Sequence, residues 1–432
     1  MADGVSNARE AALYVLARCR RFDAWSQQTI QTAADKFSLD ERDSALCTKL
    51  CLDVLQNAAL CDYYIGCYST VPVAKIEPQL LDILRLGVCQ LLFMDKIPVS
   101  AAVNEAVEQT KRSGSRAGGL VNAVLRRITE NRDKLPEIPN KGTAQELSVR
   151  FSHPLWLCER MLSELGYKEA CAFFAANNRA PRLTVSVNTR FGDPSSLVEH
   201  FAAAGIHAHV SELSRVSVCV EAKGSASALP GFAEGEFFVQ DAAAAMSVLC
   251  AAPQKGMHVL DVCSAPGGKS FTLAEMMQNT GSLLAMDLYP NRLKLVEDGA
   301  ARLGLTCLQI RPGDARIFDK SLGTFDRILC DVVCSGYGVI RRKPEIRYKD
   351  PAECDALPQT QLAILAASAR YLTPGGRLVY STCTLNPAEN EGVVQQFLRE
   401  TPGYALCGQP VTTLPRQTAG DGFFYAVLER TE

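Results

Sequence analysis

The chain has 432 residues, 45 basic and 47 acidic side chains, 47% apolar residues and 17 cysteines. At roughly 150 residues per domain, that is enough for about three domains, each with its own core. A charged fraction of 21% beside this apolar content excludes a disordered or collagen-like chain, and a formal charge of −2 excludes a globally basic nucleic-acid binder while leaving room for local basic patches.

The cysteines run from Cys19 to Cys407 without a CxxC pair, and His153, His200, His207, His209 and His258 form no ligand cluster beside them, so no metal is expected. The start, MADGVSNARE, lacks a basic stretch followed by an apolar core, and the longest uncharged small and apolar run, Ala242–Ala252, is too short to span a bilayer. The expectation is a soluble cytoplasmic protein with free thiols, no membrane partner, and a monomer by default.

In chain order, residues 1 to about 140 read as all helix. Leu80, Leu81, Leu84, Val88, Leu91 and Leu92 share one helical face, and Leu120, Val121, Val124, Leu125 and Ile128 repeat the pattern. Within 111–134, seven side chains are basic, including Lys111, Arg112, Arg126 and Arg127, against two acidic. Such a stretch is either a solvated helix face or a surface for RNA phosphates. Residues 135–142 (LPEIPNKG) read as a linker, and 141–228 as a small α+β module with helices at Leu155–Leu165 and Ala170–Ala176.

From 229 to 432 apolar strands alternate with helices. Strands are predicted at His258–Val262, Ser282–Met286, Thr306–Ile310, Arg327–Cys330 and Arg377–Ser381, and helices at Lys269–Gln278, Asn291–Leu303 and Pro358–Leu372. This alternation predicts an α/β fold with a doubly wound, Rossmann-like parallel sheet. Asn386-Pro387-Ala388-Glu389 reads as the capped start of a further helix, and 421–428 as a turn and a buried strand.

The first strand runs into Cys263-Ser264-Ala265-Pro266-Gly267-Gly268-Lys269, a turn that lets a ligand approach the backbone at a helix N-terminus. A phosphate loop needs GxxxxGK[ST], but Cys263 stands where its first glycine belongs, and the GxGxxG dinucleotide fingerprint is absent. S-adenosylmethionine is the third ligand. Its ribose wants an acid at the end of the second strand, and Asp287 lies there, 19 residues after Gly268. Asp314 follows the third strand and Asp331 ends the fourth, at the strand edge where open α/β sheets bind ligands.

Most cysteines are small core hydrophobes, but Cys334 and Cys383 each fall just past a strand, at that same edge. A thiolate adding to C6 of a pyrimidine makes C5 nucleophilic enough to take a methyl group. A base must then remove the C5 proton, and an acid near N3, such as Asp331, would stabilise the developing charge.

These runs resemble the NOL1/NOP2/Sun family, in its Sun/Fmu branch of bacterial 16S rRNA (cytosine-C5) methyltransferases. The resemblance is carried by CSAPGGKS at 263–270, MDLYPNRL at 286–293, GDAR at 313–316, DVVCSGYGVIRRKPEIRY at 331–348, YSTCTLNPAENE at 380–391 and DGFF at 421–424. SHP at 152–154, VN at 187–188 and VQDAA at 239–243 also fit, and LRLGVCQLLFMDKIPVSAAVNEAVE with GLVNAVLRRI resembles the NusB-like RNA-binding domain of this branch. The resemblance implies a NusB-like domain over 1–140, a connecting RNA-recognition module over 141–228, and a methyltransferase domain over 229–432.

It further implies that Cys383 is the nucleophile on C6 and that Cys334 assists proton removal and product release. Residues Cys263, Ser264, Ala265, Pro266, Gly267, Gly268, Lys269, Asp287, Arg292, Asp314 and Asp331 are implied for S-adenosylmethionine, with Asp331 also near the target base. Arg341, Arg342, Lys343, Arg347 and Lys349 join Lys111, Arg112, Arg126 and Arg127 as implied contacts to 16S rRNA. Two positions depart from the family pattern. Val333 replaces the proline of DxPCSG, which stiffens that loop, and Ser186 stands where an arginine often precedes VN. The same chemistry on tRNA, or a non-catalytic RNA-binding assembly factor, are the alternatives; the second has no need of two thiols.

Overall fold

The structure is a computed structural model and describes residues 8–22, 24–222, 224–415 and 420–431. Residues 1–7, read above for a targeting segment, lie outside the described residues. The chain divides into two compact units, one of 1–179 with 340–349 and one of 180–339 with 350–432.

The first unit is helical: α1 Ala8–Phe22, α2 Ser26–Lys36, α3 Glu41–Tyr68, α4 Pro78–Phe93, α5 Val99–Arg112, α6 Gly118–Glu130, α7 Ala144–Phe151 and α8 Leu155–Asn177. The predicted apolar faces meet in its core, where Leu50, Ile83, Leu84, Val88, Val121 and Leu125 are fully buried. The two helices expected within 155–176 are a single element kinked at Gly166 (φ 73°, ψ 165°), a backbone conformation that glycine adopts without Cβ strain.

The second unit begins with β1 Leu183–Val187, α9 Pro194–Ala203, β2 Ala208–Val210, β3 Ser217–Val220 and β4 Phe237–Val239; its four strands form an antiparallel sheet in the order β2-β3-β1-β4. After α10 Ala242–Ala251 come β5 His258–Asp261, α11 Gly268–Met276, β6 Ser282–Asp287, α12 Pro290–Leu303, β7 Leu308–Pro312, β8 Phe325–Asp331, α13 Leu357–Ala369 and β9 Leu372–Thr382. The chain closes with α14 Glu391–Glu400, β10 Tyr404–Leu406, β11 Val411–Thr413 and β12 Phe423–Arg430. The large sheet runs β10-β12-β9-β8-β5-β6-β7, with β11 beside β12. Strands β5 to β9 pair in parallel, and β12 lies antiparallel on β9.

Strand order reverses between β5, which pairs with both β6 and β8, and its neighbours, so the crevice at the carboxyl ends of β5 and β8 is the topological switch point. The doubly wound expectation holds, with two local corrections. The third strand starts at Leu308 rather than Thr306, because the amides of Thr306 and Cys307 donate to Asn279 Oδ1 instead of a ladder. The helix expected from Asn386 starts at Glu391, and Glu389 is not its capping acid but a fully buried hydrogen-bond acceptor.

No helix among the described residues is long and apolar enough to cross a membrane. Among them, too, no group of three or more His, Cys, Asp or Glu side chains is placed to hold a metal ion. The seventeen cysteines are free thiols.

Candidate active site

The glycine turn leaves β5 at the switch point. Ser264 N donates to Met286 O (2.8 Å) and Gly267 N to Ser264 O (2.8 Å), and α11 begins at Gly268. Gly267 has φ +114°, and a Cβ there would lie 2.4 Å from the Phe271 ring, so the turn admits only glycine. Asp287, at the end of β6 and buried, accepts from the amides of Ala265 (3.2 Å) and Tyr289 (3.1 Å). Arg292 donates to Ala265 O (2.9 Å) and lies 3.5 Å from Asp287. Cys263 is half-buried at the start of the turn, and burial holds its thiol well above the ordinary range.

The turn fits an adenosyl ligand by its own chemistry. Ser264 Oγ is buried without a hydrogen-bond partner among the described residues, and a carboxylate such as Asp287 has about four acceptor sites. Asp314 stands past β7, paired with Arg316 (2.6 Å), whose hydrogen bonds hold its carboxyl below the usual range.

Asp331 ends β8. Its Oδ1 accepts from Ser381 Oγ (2.8 Å) and its Oδ2 pairs with Lys269 Nζ (2.8 Å), which joins the glycine turn to the fourth and fifth strands. Burial pulls the Lys269 ammonium down, but attraction to Asp331, then Cys383 and Asp261, outweighs it, so the lysine stays charged. Asp261, at the end of β5, is fully buried and accepts from Ser270 Oγ (2.6 Å), and burial pushes its carboxyl up to about 7.

Past β8 and β9 the two predicted cysteines meet, Sγ to Sγ at 3.1 Å. The hydrogen bond to Cys383, followed by burial, raises Cys334 well above the ordinary thiol range, which favours its protonated form. Gly338 N donates to Cys383 O (2.9 Å), and Gly422 N to Gly338 O (2.9 Å). A Cβ on Gly338 would lie 2.0 Å from Gly422 O, so the DGFF turn and the Cys383 backbone close only around glycine.

The implied RNA contacts are less uniform. Lys111, Arg112, Arg126 and Arg127 are exposed, as expected, but Lys111 pairs with Glu108 (2.7 Å), Arg112 with Glu105 (2.5 Å) and Glu10 (2.8 Å), and Arg127 donates to Tyr68 O (3.1 Å). Acids from outside the basic window therefore neutralise part of it. Lys343 is exposed, with its ammonium 4.6 Å from the Trp25 ring centroid, and Lys349 lies 4.1 Å from the same ring. Arg342 is half-buried.

Arg347 and Arg341 are corrections: both are buried. Arg347 donates to the carbonyls of Gln56 (2.9 Å), Phe151 (3.2 Å), Ser152 (3.4 Å) and Asn177 (3.4 Å), so its charge is spent inside the helical unit. Burial draws its guanidinium down to about 10, still charged at neutral pH. The SHP run belongs to the same cluster, with His153 buried between Phe151 O and Asn177 Nδ2 (2.7 Å each). Ser186 is buried on β1 and donates to Gln240 Oε1 (2.8 Å).

Glu389 and Gln361 join the site although neither reads as part of it from the sequence. Both are fully buried, and both bond to the loop that carries Cys334. Glu389 lies in the YSTCTLNPAENE run, where it reads as a helix cap, and Gln361 has no sequence signal beyond polarity in an otherwise apolar helix.

A glycine turn at the switch point, acids at successive strand ends and an N-terminal helical unit define a Rossmann-like, S-adenosylmethionine-dependent RNA methyltransferase. Comparison with known proteins agrees domain by domain. A NusB family model matches residues 6–130, an RsmF/B-like methyltransferase ferredoxin-like domain matches 153–227, and the 16S rRNA methyltransferase RsmB/F model matches 248–429. The chain is 34% identical over 404 residues to "Probable ribosomal RNA small subunit methyltransferase B" of Bacillus subtilis (strain 168), covering 92% of this chain and 90% of that protein. It is 35% identical over 403 residues to "Ribosomal RNA small subunit methyltransferase B" of Escherichia coli O1:K1 / APEC, covering 90% and 91%. The solved structure of PH0851 superposes with a TM-score of 0.81 at 26% identity over 98% of both chains. NSun6 from Pyrococcus horikoshii, solved with SFG, shares the fold over 63% of this chain and 97% of its own, at a TM-score of 0.57 and 22% identity. The chain belongs to the 16S rRNA methyltransferase RsmB/F family.

Proposed function

We propose that this protein methylates C5 of a specific cytosine in 16S rRNA through a covalent Cys383–C6 adduct, acting as a cytoplasmic monomer. The observation that carries this reading is the Cys334–Cys383 pair, 3.1 Å apart at the strand edge that also bears Asp331 and the glycine turn. When bound, S-adenosylmethionine supplies an electrophilic methyl carbon on a sulfonium. Cys263 to Lys269, Asp287, Arg292, Asp314 and Asp331 are the residues that would hold it.

Cys383 acts as thiolate. Its sulfur forms a bond to C6, and the C5–C6 π electrons move onto C5 and, by conjugation, toward N3. The Lys269 ammonium beside Asp331 and Cys383 supports negative charge on that sulfur, since Coulomb attraction is mutual. Asp331, held by Ser381 and Lys269, stabilises the polarised ring at N3. Once C5 carries the methyl group, a solvent water accepts the C5 proton, with Cys334 at the strand edge assisting its removal. The freed electron pair re-forms the C5–C6 double bond, and the C6–S bond breaks to return Cys383 as thiolate.

Exposed Lys111, Arg112, Arg126, Arg127 and Lys343 supply the phosphate contacts that bring the RNA in. The reading keeps the three-part division at 140 and 228, with the outer parts for RNA capture and chemistry. Incubation with labelled methyl donor and either 16S rRNA or tRNA, followed by mapping of the modified base, tests it. Label at C5 of one 16S cytosine is expected. Label on tRNA would redirect the substrate, and none on either would favour an assembly factor.

A further inference from the structure

The loop after β8 is held from two sides by groups that touch no reacting atom. Glu389 takes four donors: Ser335 N (2.9 Å) and Ser335 Oγ (2.5 Å) from that loop, Gln361 Nε2 (2.9 Å) from α13, and Asn386 Nδ2 (3.0 Å) from its own turn. Its backbone carbonyl accepts from Tyr380 OH (2.6 Å), on the strand that leads to Cys383. Gln361 Nε2 also donates to Val333 O (2.9 Å). Residues 333 and 335, either side of Cys334, are thus tied to one buried carboxyl group anchored on the Cys383 side.

We infer that Glu389 and Gln361 are positioning residues that hold Cys334 within reach of Cys383, and that they give this loop the stiffness that Val333, unlike a proline, does not impose. The physical case is one of constraint. Val333 is exposed and leaves its own φ free, whereas a pyrrolidine ring would fix it near −65°. Among the described residues the Val333 amide donates no backbone hydrogen bond, so a proline there would break none. The rigidity therefore has to come from outside the loop, and the Gln361–Glu389 pair supplies it at two points. Reacting groups misplaced by 1 Å lose about 10²-fold in rate, which is the sensitivity such a clamp protects.

That Cys334 assists catalysis rests on the function proposed above; the clamp itself does not. The test therefore reads geometry and activity separately. Treatment with diamide oxidises two neighbouring thiols to a disulfide as the diazene is reduced to a hydrazine, and peptide mapping follows the Cys334–Cys383 product. Gln361→Met and Glu389→Gln are expected to form this bond at least about tenfold more slowly than wild type, and to lose up to about 10²-fold in kcat with little change in KM for RNA. Adding Val333→Pro to Gln361→Met is expected to restore both rates. Unchanged bridging in folded Gln361→Met would overturn the clamp, as would failure of the proline to rescue it. If Glu389→Gln does not fold, the Gln361 variants carry the test alone. Slowed bridging in a chain whose wild type transfers no methyl group would keep the clamp and remove the function.

Discussion

The sulfur atoms of Cys334 and Cys383 lie 3.1 Å apart although 49 positions separate them in the chain, because parallel pairing of β8 with β9 brings two strand ends together. The hydrogen bond to Cys383 and burial favour the protonated form of Cys334. Replacing Cys383 by Ala is expected to reduce methyl transfer to background. Cys334→Ala is expected to stall after methylation, leaving an RNA–protein adduct that survives denaturing electrophoresis. Full activity in Cys383→Ala would show the nucleophile to be misassigned.

The same proximity makes the site sensitive to oxidation. A peroxide can take two electrons from the pair, joining the sulfurs and leaving water as its own reduced product. Activity is expected to fall with mild peroxide and return with dithiothreitol, and peptide mapping of the oxidised protein is expected to recover a Cys334–Cys383 disulfide that Cys334→Ser cannot form. Radiolabel transfer before and after reduction measures it.

Asp331 is bonded by Lys269 and Ser381 rather than left free. Asp331→Asn keeps the shape but removes the charge that pairs with Lys269. Methyl transfer is expected to fall by about 10²-fold, the usual cost of losing one stabilising group in an active site. Single-turnover kinetics separates this from a change in RNA affinity.

Asp261 links the site to stability. Its folded carboxyl is raised from 3.8 to about 7, so the folded state holds its proton more tightly than the unfolded chain does. The contribution is therefore fully present below about pH 4 and is lost as pH rises toward 7. By linkage this amounts to a few kcal/mol, at about 1.4 kcal/mol per unit. Asp261→Asn, which cannot ionise, is expected to flatten the pH dependence of Tm between 4 and 7 and to melt above wild type at pH 8.

Arg347 and the surface arginines should separate cleanly. Arg347→Ala leaves buried carbonyls without donors and is expected to cost about 3 kcal/mol of stability. Arg126→Ala and Arg127→Ala are expected to leave Tm unchanged. Removing one arginine–phosphate interaction would lower the slope of log K against log salt by about 0.7–0.9. Thermal melts and salt-dependent RNA binding distinguish the two classes.

Read residue by residue, the chain already contained its strand and helix alternation, the glycine turn with Asp287 and Asp331, and both cysteines at strand ends. Those features are local: a period of apolar residues or a short motif is written in neighbouring positions, and strand-end chemistry follows from the sheet topology such periods imply. What the sequence could not rank was which polar residues turn inward. Arg347 stands in a basic run as if exposed, yet it is buried among carbonyls of the helical unit. Glu389 sits in a cap-like NPAE stretch, yet it collects donors from three separate segments around Cys334. Burial and hydrogen-bond satisfaction depend on residues distant in the chain, so only the tertiary structure could decide that one charge is a brace and the other holds a thiol in place.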